Sequence, residues 1–129
     1  PGNVMVSEEG LRLFDFGLGQ SLLTTGLPGL SRGHIGAWTP AYAAPELLAG
    51  DALSMAADLY GVACVLYEMA QGRRPGERSS AESLPRPRQW PRHYWPALRT
   101  ALALDPERRT ISVAELREMM GCPWRRWFV

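Results

Sequence analysis

Two short, mostly apolar runs near the start of the chain have the length and composition typical of strands. These runs cover residues 3–6 and 11–14, and the polar residues 7–10 between them are typical of a turn. Gly10 closes the turn and suits a backbone with positive φ. The pattern therefore predicts a small antiparallel hairpin at the beginning of the chain.

A helix is predicted over residues 55–70, which are apolar almost all round. Ser54 is a suitable N-cap, and Gly72 is a suitable residue just beyond the C-terminal end. A helix without a broad polar face is expected to lie in the core.

Two further helices are predicted towards the C-terminus. Pro96 suits the first turn of a helix that ends near residue 104. Ser112 and Glu115 have the spacing of a capping box, which predicts a helix over residues 113–120. The chain is thus expected to be mostly helical, in the α+β class, with one hairpin at its start.

Residues 17–43 and 73–94 interrupt this pattern as long irregular segments rich in Gly, Ser, Thr, Pro or Arg. Loops of such length inside a compact domain are usually functional.

The chain has 129 residues, of which 46% are hydrophobic and 21% charged, so a single globular domain is expected rather than a disordered segment.

Charge is distributed unevenly along the chain. Residues 1–70 hold two Arg against seven acids, whereas residues 71–129 hold twelve Arg against six acids. The total of +1 argues against a nucleic-acid-binding domain. A solvated Arg-rich surface is the simpler interpretation of the basic half, and an acidic partner or a membrane surface is the alternative.

Candidate metal-binding residues lie close to the predicted hairpin. Asp15, Phe16 and Gly17 directly follow the second predicted strand, and Asn3 opens the first. A hairpin brings such an amide and carboxylate towards the same end, and hard oxygen ligands of this kind suit Mg²⁺. Taken alone, the tripeptide is more typical of a turn capped by its Asp.

The tripeptide is followed by three further motifs in a fixed order. They are Thr39-Pro40-Ala41-Tyr42 with Ala44-Pro45-Glu46, then Asp58-Leu59-Tyr60-Gly61, and finally Asp105-Pro106-Glu107-Arg108-Arg109. In this order and spacing the chain resembles the C-terminal lobe of the eukaryotic-type Ser/Thr protein kinases, in a style that looks bacterial. The resemblance covers essentially residues 1–129 as a partial kinase domain, and it implies a kinase-like lobe with an N-terminal hairpin, a long activation segment and a helical bundle.

The resemblance implies specific roles for several residues. Asn3 and Asp15 resemble the pair that holds Mg²⁺ (or Mn²⁺) on ATP, the substrate whose γ-phosphate is transferred to Ser or Thr of a protein. Thr39 resembles the Thr of the substrate-docking loop that touches the catalytic base. The resemblance also implies that Tyr42 and Pro45 shape that loop.

Residues 15–46 resemble the activation segment. Phe16 and Gly17 complete the metal-binding motif, and Phe16 corresponds to the residue whose packing sets active or inactive placement of Asp15. The possible phosphorylation sites are Ser21, Thr24, Thr25 and Ser31. A phosphate at any of them needs Arg partners to order the segment.

Two acids have structural counterparts in the family. Glu46 resembles an acid that pairs with an Arg near the end of the domain, with Arg109 the better candidate and Arg108 the alternative. Asp58 lies on an otherwise apolar helix, so it is expected to be buried, where its family counterpart bonds the backbone of the catalytic loop.

The family's Gly-rich loop, phosphate-clamping Lys and catalytic-base Asp are not found in these residues, and all 14 basic residues are Arg. We therefore expect part of a Ser/Thr kinase that is inactive alone, with a pseudokinase or a stand-alone regulatory module as the alternative. A cytoplasmic location is expected. The basic, aromatic residues 124–128 either pack on the lobe or lead to a membrane attachment beyond Val129.

Overall fold

The computed structural model describes residues 2–14, 39–76 and 83–121, and the chain divides into two compact units. The described part of the first unit is a hairpin of β1 (Val4–Ser7) and β2 (Gly10–Leu13). The described part of the second unit holds the helices α1 (Pro45–Ala49), α2 (Met55–Gln71), α3 (Tyr94–Ala101) and α4 (Val113–Met119). The mostly helical content with a small antiparallel sheet confirms the predicted class.

The hairpin has the register that its turn residues favour. Val4 pairs with Leu13 and Ser7 with Gly10, whose φ of 125° is readily adopted only by glycine. The Ser7 hydroxyl donates to the Gly10 carbonyl at 3.2 Å and closes the turn. The predicted hairpin is therefore confirmed, with each strand displaced by one residue.

Helix α2 begins and ends where its capping residues predicted. The Ser54 hydroxyl accepts the backbone N–H of Ala57 at 3.1 Å. At the other end Gly72 has a φ of 69°, and its N–H donates to the Glu68 carbonyl. These local bonds satisfy backbone groups that a helix terminus otherwise leaves without partners.

The core of the helical unit is built around α2. Its buried face carries Leu59, Ala63, Cys64 and Tyr67, among other residues. Helix α3 packs against α2, and α4 packs in turn against α3. Leu98 of α3 and Leu116 of α4 are almost fully buried in this core, together with Leu102, Ala97 and Ala101.

Three details of the helices differ from the sequence expectation. The five-residue helix α1 was not predicted. Helix α3 (Tyr94–Ala101) has Pro96 in its first turn as predicted, but it ends three residues before the predicted end near residue 104. Helix α2 is not buried all round, because Met55 and Met69 are each 68% exposed on a side that the described residues do not cover.

The predicted capping box of α4 is confirmed. The Ser112 hydroxyl accepts the Glu115 N–H at 3.1 Å, while the Glu115 carboxylate accepts the Ser112 N–H at 2.7 Å. Within the described part of the chain, no helix combines the length and the apolar composition needed to cross a membrane.

Candidate functional site

The segment that leads into α1 forms a turn held by its own backbone. The Tyr42 N–H donates to the Thr39 carbonyl at 2.9 Å, and Thr39 itself is exposed. Pro45 occupies the first turn of α1, where its fixed φ is compatible with a helix and its missing N–H costs nothing. Glu46 follows directly, so the turn and the helix start together determine where this carboxylate points.

Glu46 forms a bidentate ion pair with Arg109. The guanidinium Nη1 lies 2.5 Å from Oε1 of Glu46, and Nη2 lies 2.8 Å from Oε2. The Arg109 side chain is fully buried and that of Glu46 is 8% exposed. Arg108, the alternative partner, is exposed. The structure thus connects the Thr39–Glu46 segment to a residue 63 positions further along the chain.

The rest of the Arg109 guanidinium is bonded to backbone. Nε donates to the Ala103 carbonyl at 2.8 Å, Nη1 to that of Ala56 at 3.0 Å and Nη2 to that of Leu104 at 3.1 Å. With the two bonds to Glu46, all five N–H donors of the side chain have acceptors. This one side chain therefore joins α1, the start of α2 and the segment after α3.

The protonation of Glu46 reflects two opposing influences. Burial raises the pKa of the Glu46 carboxyl, but hydrogen bonds from Arg109 and from its own backbone N–H, together with the charge of Arg109, outweigh it. The net effect is a pKa below the ordinary value of 4.5. The guanidinium also stands 4.8 Å from the centroid of the Tyr60 ring, a cation–π contact that further stabilises the buried charge.

A second contact attaches the same segment to the other end of α2. The Tyr42 hydroxyl donates to Oε2 of Glu68 at 2.6 Å, and this bond, with burial and the Glu68 charge, raises the pKa of the Tyr42 phenol. The Arg74 guanidinium lies 5.8 Å from the centroid of the Tyr42 ring and 3.9 Å from Glu68. Adding a Cβ at Gly61 would bring it 3.4 Å from the Tyr42 carbonyl, so a small residue suits this approach.

Sequence reasoning did not single out Glu68 or Arg74. The available signal was an acid at position 68 in an apolar helix, one turn before the terminating Gly72. An acid on a helix usually lies in solvent, so only the tertiary contact with Tyr42 distinguishes it.

Asp58 contradicts the sequence expectation that it is buried. Its side chain is exposed in the first turn of α2, on the side that also carries Met55 and Val62. The described residues cover only the opposite side of this helix, so the carboxylate keeps its contact with water. In that position an acid also interacts favourably with the helix dipole.

The hairpin presents only part of the predicted metal site. Asn3 is exposed, and its backbone carbonyl accepts the N–H of Phe14, the residue that immediately precedes Asp15 in the sequence. The other predicted residues of the activation segment lie outside the described residues: Asp15, Phe16, Gly17, Ser21, Thr24, Thr25 and Ser31. Among the described residues, no group of three or more His, Cys, Asp or Glu side chains could hold a metal ion.

Comparison with known proteins gives a consistent result. The sequence profile of the protein kinase domain matches residues 1–116. The serine/threonine-protein kinase PkaA of Streptomyces coelicolor is 34% identical over 122 residues, which cover 84% of this chain and 22% of PkaA. The probable serine/threonine-protein kinase PknB of Bifidobacterium longum is 40% identical over 86 residues, which cover 65% of this chain and 12% of PknB.

A third relative is the serine/threonine-protein kinase PknJ of Mycobacterium tuberculosis. It is 41% identical over 80 residues, which cover 58% of this chain and 13% of PknJ. The chain therefore spans less than a quarter of the length of each of these three proteins.

Proposed function

This chain belongs to the protein kinase domain family, and we propose that it is the C-terminal-lobe part of a Ser/Thr protein kinase. The whole protein would transfer the γ-phosphate of ATP to Ser or Thr hydroxyls of protein substrates. The names of its bacterial relatives support the choice of Ser and Thr as acceptors.

The observation that carries the proposal is the attachment of the Thr39–Glu46 segment at two points. The buried pair of Glu46 and Arg109 holds the C-terminal end of the segment, and the bond between Tyr42 and Glu68 holds its middle. Phosphoryl transfer depends mainly on positioning and charge stabilisation, so a kinase needs a rigid surface for its protein substrate. In this proposal the exposed Thr39 touches the catalytic base, and Tyr42 and Pro45 shape the surface.

In the same proposal Asn3 and Asp15 hold a Mg²⁺ or Mn²⁺ ion together with ATP. The hairpin register supports this pairing, because Asn3 stands opposite Phe14, and Asp15 is the next residue along the chain. An amide and a carboxylate oxygen are suitable ligands for a hard divalent cation. When bound, such an ion neutralises charge that develops on the phosphoryl group.

Regulation of the proposed activity falls to residues 15–46 as the activation segment. Phe16 would set the placement of Asp15, and Thr24 or Thr25 would accept an activating phosphate. Because a phosphate adds nearly two negative charges, its effect depends on the Arg side chains that reach it.

We further propose that residues 1–129 do not catalyse phosphoryl transfer alone. They contain no Lys, so the phosphate-clamping Lys must come from elsewhere in the whole protein. A pseudokinase or a regulatory module is the alternative, and retention of both Asn3 and Asp15 favours the enzyme.

The proposal is tested by measuring transfer of radioactive γ-phosphate from ATP to a protein substrate by the full-length protein. We expect Asp15→Ala to abolish transfer and Asn3→Ala to reduce it strongly, because each removes a ligand of the ion. Asp51→Ala is the matched control, since Asp51 is an exposed acid outside the proposed site.

Transfer that persists at the wild-type rate in Asp15→Ala would overturn the proposed metal site. A folded wild-type protein without any transfer, but with measurable ATP binding, would favour the pseudokinase. Equal loss in Asp15→Ala and Asp51→Ala would show a general effect on the fold.

A further inference from the structure

Residues 83–104 form an unusual stretch of the chain, because they contain four Arg and no acid. The chain as a whole has 13 acids for 14 Arg, whereas within this stretch the arginines have no acid among them, and the nearest acids along the chain are Glu82 and Asp105. Such a concentration of one sign attracts a partner of the opposite sign.

Among the residues that the structure describes, no carboxylate forms an ion pair with these arginines. Arg88, Arg92 and Arg99 are exposed, and the half-buried Arg86 donates to the neighbouring Pro87 carbonyl at 3.3 Å. The ion pairs among the described residues instead involve Arg12, Arg74 and Arg109.

Aromatic residues lie between these arginines and are held in place. Trp90 and Tyr94 meet edge to face with ring centroids 6.0 Å apart, and Trp95 packs 6.4 Å from Tyr67 of α2. The Pro85 carbonyl accepts bonds from the Tyr67 hydroxyl at 3.2 Å and from the Gln71 amide at 3.3 Å. The segment is therefore fixed to α2, and a partner that binds it need not order it first.

A shallow depression lies among these side chains. Arg86, Pro87, Trp90, Tyr94 and Trp95 contribute to its lining, and it does not enclose enough space for a water molecule. Small-molecule and cofactor sites are usually enclosed cavities of roughly 300–1,000 Å³, so the depression does not suit such a ligand. A partner can lie only across the surface of these side chains, while the exposed arginines of the same stretch can take carboxylates.

We propose that residues 85–99, which we call the Arg/Trp surface, are a docking site for an acidic segment of a partner protein. Carboxylates of the partner bind Arg88, Arg92 and Arg99, and an aromatic or proline side chain lies across the aromatic residues between them. The guanidinium group suits this role, because its planar fork binds carboxylates in a bidentate manner.

A protein partner fits better than an anionic membrane. The large hydrophobic side chains that are exposed among the described residues all lie outside residues 83–104, and Trp90, Tyr94 and Trp95 are only partly exposed. The surface therefore offers charge without a protruding apolar group that could insert between lipids.

The test measures binding of a fluorescein-labelled peptide, in which acidic residues flank a central Phe, to the full-length protein by anisotropy. A peptide with Gln and Asn in place of the acids is the matched probe. We expect binding of the acidic peptide only, weakened roughly tenfold or more by Arg88→Glu/Arg92→Glu, since a tenfold change requires only 1.4 kcal/mol. If charge reversal prevents folding, the variant Arg88→Gln/Arg92→Gln is used instead. It should weaken binding of the acidic peptide less than charge reversal would.

The control is Arg108→Glu/Arg117→Glu, which reverses two exposed arginines outside the Arg/Trp surface. Its peptide affinity should remain within a factor of two to three of the wild type. Equal weakening by both pairs would overturn the proposal in favour of non-specific charge attraction. Failure of the acidic peptide to bind, or binding only to phosphatidylserine vesicles or to RNA, would overturn it as well.

Discussion

The buried ion pair allows a quantitative test of what holds the helical unit together. Replacing Arg109 by Met removes five hydrogen bonds, leaves the carbonyls of Ala56, Ala103 and Leu104 without this donor, and leaves Glu46 without its cation. Breaking a buried pair by removing one partner costs about 3–5 kcal/mol. We expect the free energy of unfolding to fall by that amount in Arg109→Met.

Glu46→Gln should be the milder change, because Arg109 keeps its three backbone acceptors and one oxygen of the new amide. A hydrogen bond to a charged group contributes about 1.5–3 kcal/mol, which sets the expected loss. The double variant should cost little more than Arg109→Met, since it no longer leaves a buried carboxylate unpaired.

Urea unfolding of the full-length protein, followed by Trp fluorescence, measures these differences, because Trp90 and Trp95 lie in the helical unit. The exposed Arg117 provides the control Arg117→Met, which should change stability by less than about 0.5 kcal/mol. An Arg109→Met protein that loses less than about 1 kcal/mol, or less than Glu46→Gln, would refute the argument from buried, fully bonded charge.

Three further predictions concern pH and local hydrogen bonds. Because the pKa of Glu46 is lowered in the folded state, its contribution to stability is complete above the ordinary value of 4.5 and is lost as pH falls through the lowered pKa. Acid should therefore destabilise the wild type more than Glu46→Gln, and equal slopes in urea titrations at several pH values would contradict this assignment. Tyr42→Phe removes the hydroxyl that donates to Glu68 and should lower the free energy of unfolding by about 1 kcal/mol in the same urea assay. An unchanged free energy of unfolding would mean that water replaces this hydrogen bond without cost. Ser112→Ala removes the N-cap of α4 and should also cost about 1 kcal/mol, with Ser112→Asp restoring most of it; a neutral Ala variant would show that the cap adds nothing to the packing of Leu116.

Much of the local structure could be predicted because its causes lie close together in the sequence. Ser54 and Gly72 delimit α2, and the Ser112–Glu115 box starts α4, through bonds that span only a few residues. Pro96 lies in the first turn of α3 as predicted, but it does not specify the first residue of the helix, because proline is compatible with any position in that turn.

Helix α1 was missed for the opposite reason. It has only five residues, too few for a periodic pattern, although Pro45 at its start and Gly50 beyond its end are typical helix boundaries. Its place in the fold depends on burial of Leu47 and on the bond of Glu46 to a distant Arg, neither of which its own sequence can reveal.

In the candidate site, too, some features could be predicted from the sequence and others could not. The ordered motifs were sufficient to predict the family, and the comparisons confirm that prediction. The link between Tyr42 and Glu68 spans 26 residues and was not foreseen, since an acid in a helix gives no sign of the hydroxyl that will reach it.

The sequence alone was therefore sufficient to predict those helix and strand boundaries that depend on neighbouring residues. It was also sufficient to identify a protein kinase domain, from the order of its motifs. Tertiary structure decided which charges are buried. Arg108 and Arg109 are neighbours of the same residue type. Arg108 is exposed, whereas Arg109 is buried, with 5% of its surface exposed, and every N–H group of its guanidinium is hydrogen-bonded. Asp58, expected in the core, is exposed because the described residues leave its side of α2 uncovered. Desolvation and pairing depend on what the rest of the chain brings within a few ångströms, and this information is absent from any short stretch of residues.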